Sequence, residues 1–183
     1  MDDRYDDEHS DEDERFAHDE GRFDDDDRLT KAQALFQQAY EVQVTGHYER
    51  AIRLYKRSIA IYPTAEAYTF LGWTYSFQGR LDEAIEECHR AILVDPDFGN
   101  PYNDIGVYLM QRGAYDEALP WLEKAKQAPR YEPKHFPYIN SGRIYLAKGE
   151  WLKALKEFEA AIEIMPDDPG ARSALAELRS RLN

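Results

Sequence analysis

Residues 68–96 read YTFLGWTYSFQGRLDEAIEECHRAILVDP, and the spacing inside this stretch returns along the rest of the 183-residue chain. Taken from Ala84, the same residue types gather around Ala51, Ala118 and Ala154, at intervals of 33, 34 and 36 residues. Five residues before these alanines stand Gly46, Gly79, Gly113 and Gly149. Three before stand Tyr48, Leu81, Tyr115 and Trp151, and four after stand Tyr55, Cys88, Leu122 and Phe158. Seven after come Ser58, Ala91, Ala125 and Ala161, and twelve before come Ala39, Gly72, Gly106 and Gly142. Pro63, Pro96 and Pro166 close three of the copies. A period of this length marks a stacked repeat, in which one small unit cannot bury its apolar face alone.

Each unit reads as two helices. The residues three before and four after the alanine lie two helical turns apart, so both face the same side. Small residues at the alanine and glycine positions let two helices approach closely. The glycine five before the alanine falls where one helix stops and the chain needs an unusual φ. Thr30 followed by Gln33 fits a capping box at the start of the first helix. Asn100-Pro101 and Asp168-Pro169 each read as an N-cap followed by proline at the first helical position, and Thr64 is a further cap. Three departures stand out. Gln38 occupies a place where an apolar residue is usual, Pro120 falls in a second helix, and Pro129, Pro133 and Pro137 crowd the longest interval. Pro120 is expected in the first turn, where little hydrogen bonding is lost. The three prolines predict an extended, stiff crossing.

These residues resemble the tetratricopeptide repeat, a 34-residue pattern of a large apolar residue, Leu-Gly, Tyr, Gly, an aromatic, Ala, an aromatic, Ala and Pro. Tyr68, Leu71-Gly72, Tyr75, Gly79, Leu81, Ala84, Cys88, Ala91 and Pro96 carry it best; Tyr138, Gly142, Tyr145, Gly149, Trp151, Ala154, Phe158, Ala161 and Pro166 carry it nearly as well. The resemblance covers about residues 32–168. It implies an all-α fold, a right-handed α-solenoid of four helical hairpins at about 30–63, 64–97, 98–131 and 134–167. Residues 29–167 are then the repeat domain. Residues 168–183 follow as an amphipathic capping helix, with Ala171, Ala174, Leu175, Leu178 and Leu182 on its apolar stripe.

Residues 1–28 differ in kind. They hold 15 acidic and 4 basic side chains, so nearly all of the chain's net charge of −13 sits there. Too few apolar residues accompany them to offset the entropy of ordering, which predicts a disordered acidic tail. The repeat domain is nearly neutral and has no Lys/Arg cluster, which disfavours nucleic-acid binding. No apolar run is long enough for a membrane span. The start Met1-Asp2-Asp3-Arg4-Tyr5-Asp6 lacks the basic and apolar segments of a secretory signal, so a cytoplasmic protein is expected.

No catalytic constellation emerges. The five histidines are scattered, one cysteine cannot complete a cysteine-based zinc site, and the glycines follow the repeat rather than a phosphate loop. Cys88 and His89 are adjacent on a helix and so do not face each other. Neither a metal nor a cofactor is expected, and the protein is expected not to be an enzyme.

The resemblance further implies that the first helix of each hairpin lines a concave surface. Residues one and five after the large apolar position would then face the groove: Phe36 and Tyr40, Thr69 and Trp73, Asn103 and Val107, Ile139 and Arg143. Tyr40 and Trp73 suit apolar anchoring, Asn103 suits a peptide backbone, and Arg143 suits a carboxylate. Some family members hold a carboxylate terminus with lysines in this groove; here the lysines are missing. The expected function is a scaffold or adaptor that binds an apolar or mixed partner peptide or helix there. The chain is then a monomer or weak homo-oligomer. Two alternatives are a module autoinhibited by the acidic tail and a self-associating assembly factor.

Overall fold

The computed structural model describes the backbone of residues 9–182 and the side chains of residues 24–181. Among the described residues there are nine helices and no strand: α1 His9–Val44, α2 Tyr48–Ile61, α3 Ala65–Phe77, α4 Leu81–Val94, α5 Asn100–Gln111, α6 Tyr115–Gln127, α7 Phe136–Ala147, α8 Trp151–Ile164 and α9 Pro169–Leu182. Successive pairs form four antiparallel hairpins, and α9 packs on α8. The hairpins turn at Gly46, Gly79, Gly113 and Gly149, with φ between +73° and +81°, a region that side chains with a Cβ rarely enter.

Within a hairpin the alanines and glycines are buried because the helices nearly touch. A Cβ on Gly106 would lie 2.5 Å from Leu122 Cδ2. Ala51, Ala84, Ala118 and Ala154 are fully buried, as are Tyr55, Cys88, Leu122 and Phe158 four residues on. One apolar core runs through the first three hairpins and reaches Ile144 of α7, and a second joins the rest of the fourth hairpin to Ala171, Leu175 and Leu178 of α9. Gln38 is exposed because its face points to where a preceding repeat would stand. Gln43 is buried instead. Its Oε1 accepts from Tyr55 Oη at 2.7 Å and from Thr74 Oγ1 at 3.0 Å, which ties three helices together.

Several local features differ from the sequence reading. Thr30 does not cap a helix start: α1 already runs through it, and Thr30 Oγ1 donates to the Asp26 carbonyl at 2.8 Å. Local pairs Arg28–Asp25 and Lys31–Asp27 sit on this stretch, and Arg28 also donates to the Ile61 carbonyl at 2.9 Å. Residues 9–28 of the acidic tail therefore belong to α1 in this structure, and residues 1–8 lie outside the described residues. The cap of α5 is Gly99, not Asn100, whereas Thr64 and Asp168 accept from the Ala67 and Ala171 amides as caps should. Pro120 is the sixth residue of α6, past the first turn, so it does remove a helical hydrogen bond, the one to Asp116. Both residues are exposed, which lets water reach the freed carbonyl.

The proline-rich segment after α6 crosses in close register with the preceding repeat. Arg130 N donates to the Asp97 carbonyl at 3.0 Å, and Gly99 N donates to the Arg130 carbonyl at 2.9 Å. Tyr131 is buried against Gly99. The Arg130 guanidinium lies over the Phe98 ring and pairs with Asp95 and with Glu66. The stack continues across this segment, since α7 packs on both α5 and α6.

Candidate functional site

Curvature follows from which helices touch. The first helices of successive hairpins pack on one another (α1 on α3, α3 on α5, α5 on α7), while no comparable packing joins successive second helices among the described residues. The first helices therefore line the inner face. On each of them, the side turned toward the second helix is fixed by the buried glycine or alanine at Ala39, Gly72, Gly106 or Gly142. The inner stripe lies one and five residues after that position and two and six before it, about 100–160° around the helix from it, because each residue turns by about 100°.

On α3 this inner stripe is Glu66, Phe70, Trp73 and Phe77. Its counterparts on α1 include Tyr40 and Val44, those on α5 include Asp104, Val107 and Gln111, and those on α7 include Asn140 and Arg143. The first two repeats are aromatic here. Phe70 meets Phe36, Tyr40 and Trp73 at ring distances of 5.2, 5.8 and 5.6 Å, Trp73 meets Phe77 at 5.4 Å, and Phe77 stacks on Tyr48 at 5.3 Å. Despite this mutual packing, Tyr40, Trp73 and Phe77 keep 39%, 42% and 49% of their surface exposed, and Val44 keeps 63%. The exposed rings form a contiguous patch rather than a scatter of single exposed residues.

The floor turns polar in the third and fourth repeats. Asn140 Nδ2 donates to Asn103 Oδ1 at 3.0 Å, and Asn103 Nδ2 lies 3.5 Å from Asp104 Oδ1. Burial pushes the Asp104 carboxyl up to about 7, and only the Asn103 side chain favours its charged form. Arg143 is exposed at the far end.

Of the residues expected to face the groove, Tyr40, Trp73, Val107 and Arg143 do lie on the inner stripe. Their partners do not. Thr69, Asn103 and Ile139 are buried, and Phe36 is half-buried between Tyr55 and Phe70. Thr69 Oγ1 bonds back to the Ala65 carbonyl, Asn103 is held by Asn140, and Ile139 sits in the second core. For Thr69 and Asn103 the reason is rotational: these positions turn into the stack, and the residue on the inner stripe is the following one, Phe70 or Asp104. Phe70, Phe77, Val44 and Asp104 were missed. The spacing of Phe70, Trp73 and Phe77, three and four residues apart opposite Gly72, was the available signal.

Cys88 is fully buried and burial pushes its thiol well up, whereas His89 is exposed and rests on Trp121 at 5.2 Å. Among the described residues, no three His, Cys, Asp or Glu side chains gather as a metal group, and no helix is long and apolar enough to cross a membrane.

Comparison with known proteins agrees with this architecture. Family models described as "Tetratricopeptide repeat" match residues 65–98 and 102–128, and one described as "TPR repeat" matches residues 142–183. The small glutamine-rich tetratricopeptide repeat-containing protein 2 of Mycosarcoma maydis is 30% identical over 100 residues, which is 54% of this chain and 28% of that protein. The chain spans between 19% and 28% of the length of the first curated relatives it matches. Among solved structures, PilF of Pseudomonas aeruginosa superposes with a TM-score of 0.78 at 22% identity, over 84% of this chain and 70% of that one. YrrB, described as a TPR protein with an unusual peptide-binding site, superposes with a TM-score of 0.63 at 22% identity, over 78% and 73% of the two chains.

Proposed function

The chain belongs to the tetratricopeptide-repeat family, and from that premise we propose that it is a non-catalytic adaptor that holds a protein segment in its concave face. Proteins of this family generally mediate protein–protein interaction. The observation that carries the proposal is the exposed aromatic patch of Tyr40, Trp73 and Phe77, whose large rings bury much area at low entropic cost. The partner is a peptide or helix laid along the first helices, neither nucleic acid nor membrane. Arg143, at the far end, suits a carboxylate on that segment.

Both ends of the stack are polar, which favours a monomer. Gln37, Gln38 and Glu41 face outward from α1, and Arg172, Glu177 and Arg179 from α9. The acidic tail is a poor occupant for the groove, because the repeat 3 floor already carries Asp104. A cytoplasmic setting is part of the same proposal.

The test compares proteins captured by the immobilised full chain, by Tyr40→Ala/Trp73→Ala, and by Leu93→Ala on the opposite side, after circular dichroism has shown all three folded. The groove variant should lose prey that Leu93→Ala keeps. Equal prey lists for all three would refute the groove.

A further inference from the structure

The groove is divided along its length, and the division specifies what its occupant must carry. The aromatic half ends at Trp73 on α3. On the adjoining helix α5 the inner stripe continues as Asp104 and Val107. Every other feature of this junction is neutral or already paired. Glu66, the remaining carboxylate of the stripe in this region, is bound to Arg130 at 2.7 Å. Asn103 and Asn140 bond each other.

Asp104 alone has no cation. Among the described residues no Lys, Arg or His comes within ion-pair distance of it, and its one side-chain contact is the long 3.5 Å approach of Asn103 Nδ2. One turn along α5 the Tyr108 hydroxyl is buried, and the Asp104 charge bears on it. A half-buried carboxylate in such a place is costly to the free protein unless a partner compensates it. Chains seldom keep an uncompensated carboxylate where an asparagine would fit, so the unmet group points to a ligand that meets it.

Resting on the groove proposal above, we propose that the occupant is a protein segment that sets a lysine or arginine side chain against Asp104 while its apolar residues lie on Trp73, Tyr40 and Phe77. Charge complementarity selects this occupant over an acidic one. The ammonium or guanidinium would donate to the Asp104 oxygens in a partly desolvated setting, where a charge-assisted hydrogen bond discriminates strongly. The aromatic half would supply affinity, and Asp104 would fix register.

The experiment is selection from a library of random linear peptides displayed on phage, against the full chain, Asp104→Asn, Trp73→Ala and a distant charge control, Glu163→Gln. Each is first shown to be folded by circular dichroism. The best peptide from the unmodified chain is then synthesised, together with a version whose basic residue is replaced by methionine. Peptides recovered on the unmodified chain and on Glu163→Gln should combine apolar residues with a Lys or Arg at constant spacing, and Asp104→Asn should lose that basic preference. The methionine version should bind the unmodified chain about tenfold more weakly, yet bind Asp104→Asn no more weakly than the parent peptide does. A basic preference that survives on Asp104→Asn, or additive effects of the two changes, would overturn the role of Asp104 while loss of binding on Trp73→Ala leaves the groove standing. Unaltered selection on Trp73→Ala, or failure of the unmodified chain to select any peptide, would overturn both.

Discussion

At Asp104 a local electrostatic cost becomes visible as a pH dependence of stability. Its carboxyl is raised to about 7 in the folded chain, against about 4 when unfolded. The groups that face it, Cys88 from α4, Tyr108 on its own helix and Tyr131 from the crossing segment, are themselves pushed upward by burial and stay neutral throughout this range. The folded state therefore holds more protons than the unfolded state between pH 4 and 7. Stability from this group is greatest at low pH and is lost as pH rises through that window. Asp104→Asn removes the penalty. It should stabilise the free protein by roughly 2 kcal/mol at pH 8, and the gain should vanish by about pH 4. Urea unfolding at the two pH values checks this, and a gain independent of pH would show that the carboxylate is not the cause. Gly106 provides the steric counterpart. A methyl there would sit 2.5 Å from Leu122 Cδ2, far inside contact distance. Gly106→Ala should cost on the order of 1–3 kcal/mol in the same assay, because the fully buried Leu122 side chain must give way.

At the level of the element, the hairpins were legible because packing leaves so little choice. At Gly72 only glycine fits, since a Cβ would sit 2.9 Å from the Ala84 carbonyl oxygen, and only glycine takes a φ near +75° at the turns without strain. Such constraints repeat at the same offset in every copy and so appear in the letters. The groove was half legible. Trp73 and Arg143 were found, but Thr69 and Ile139 were placed on the inner face when a single 100° step turns them into the stack, and that step depends on how neighbouring repeats seat. The upstream reach of α1 was not legible either, because residues 9–28 carry no apolar periodicity to mark a helix. Pro120 was misjudged for a related reason: α6 begins at Tyr115 and Ala118 N already donates to the Ala114 carbonyl, so the proline falls three positions too deep to be free of cost. Pro120→Ala restores the bond to the Asp116 carbonyl at an exposed site and should raise stability by about 1 kcal/mol. An unchanged urea midpoint would mean that water already satisfies that carbonyl fully.

Across the whole molecule, the stack behaves as a row of units that each depend on the next, and α9 is where that dependence is easiest to test. Leu175 and Leu178 of α9 are buried against Ile139 and Phe158 of the fourth repeat, in a core separate from that of the first three. His135, buried at the start of α7, has its Nε2 3.6 Å from Asp168 at the α9 cap. Removing residues 168–183 would uncover this core and leave His135 without that neighbour. Each leucine contributes about 2 kcal/mol by burial, and that loss falls on the fourth repeat. In a nearest-neighbour solenoid that loss stays local. Amide exchange on the truncated chain should then show α7 and α8 unprotected, while α1 to α6 keep their protection and the aromatic half of the groove keeps its shape. Leu178→Ala in the full chain should show the same pattern more weakly, at a cost of about 2–4 kcal/mol. If protection instead falls evenly from α1 to α8, the repeats unfold as one cooperative body and the two cores are not energetically separate. The location of the aromatic patch, with five helices between it and the cap, makes the functional corollary measurable: a peptide held by Tyr40, Trp73 and Phe77 should still bind the truncated chain, whereas contacts that need Arg143 on α7 should be lost with it.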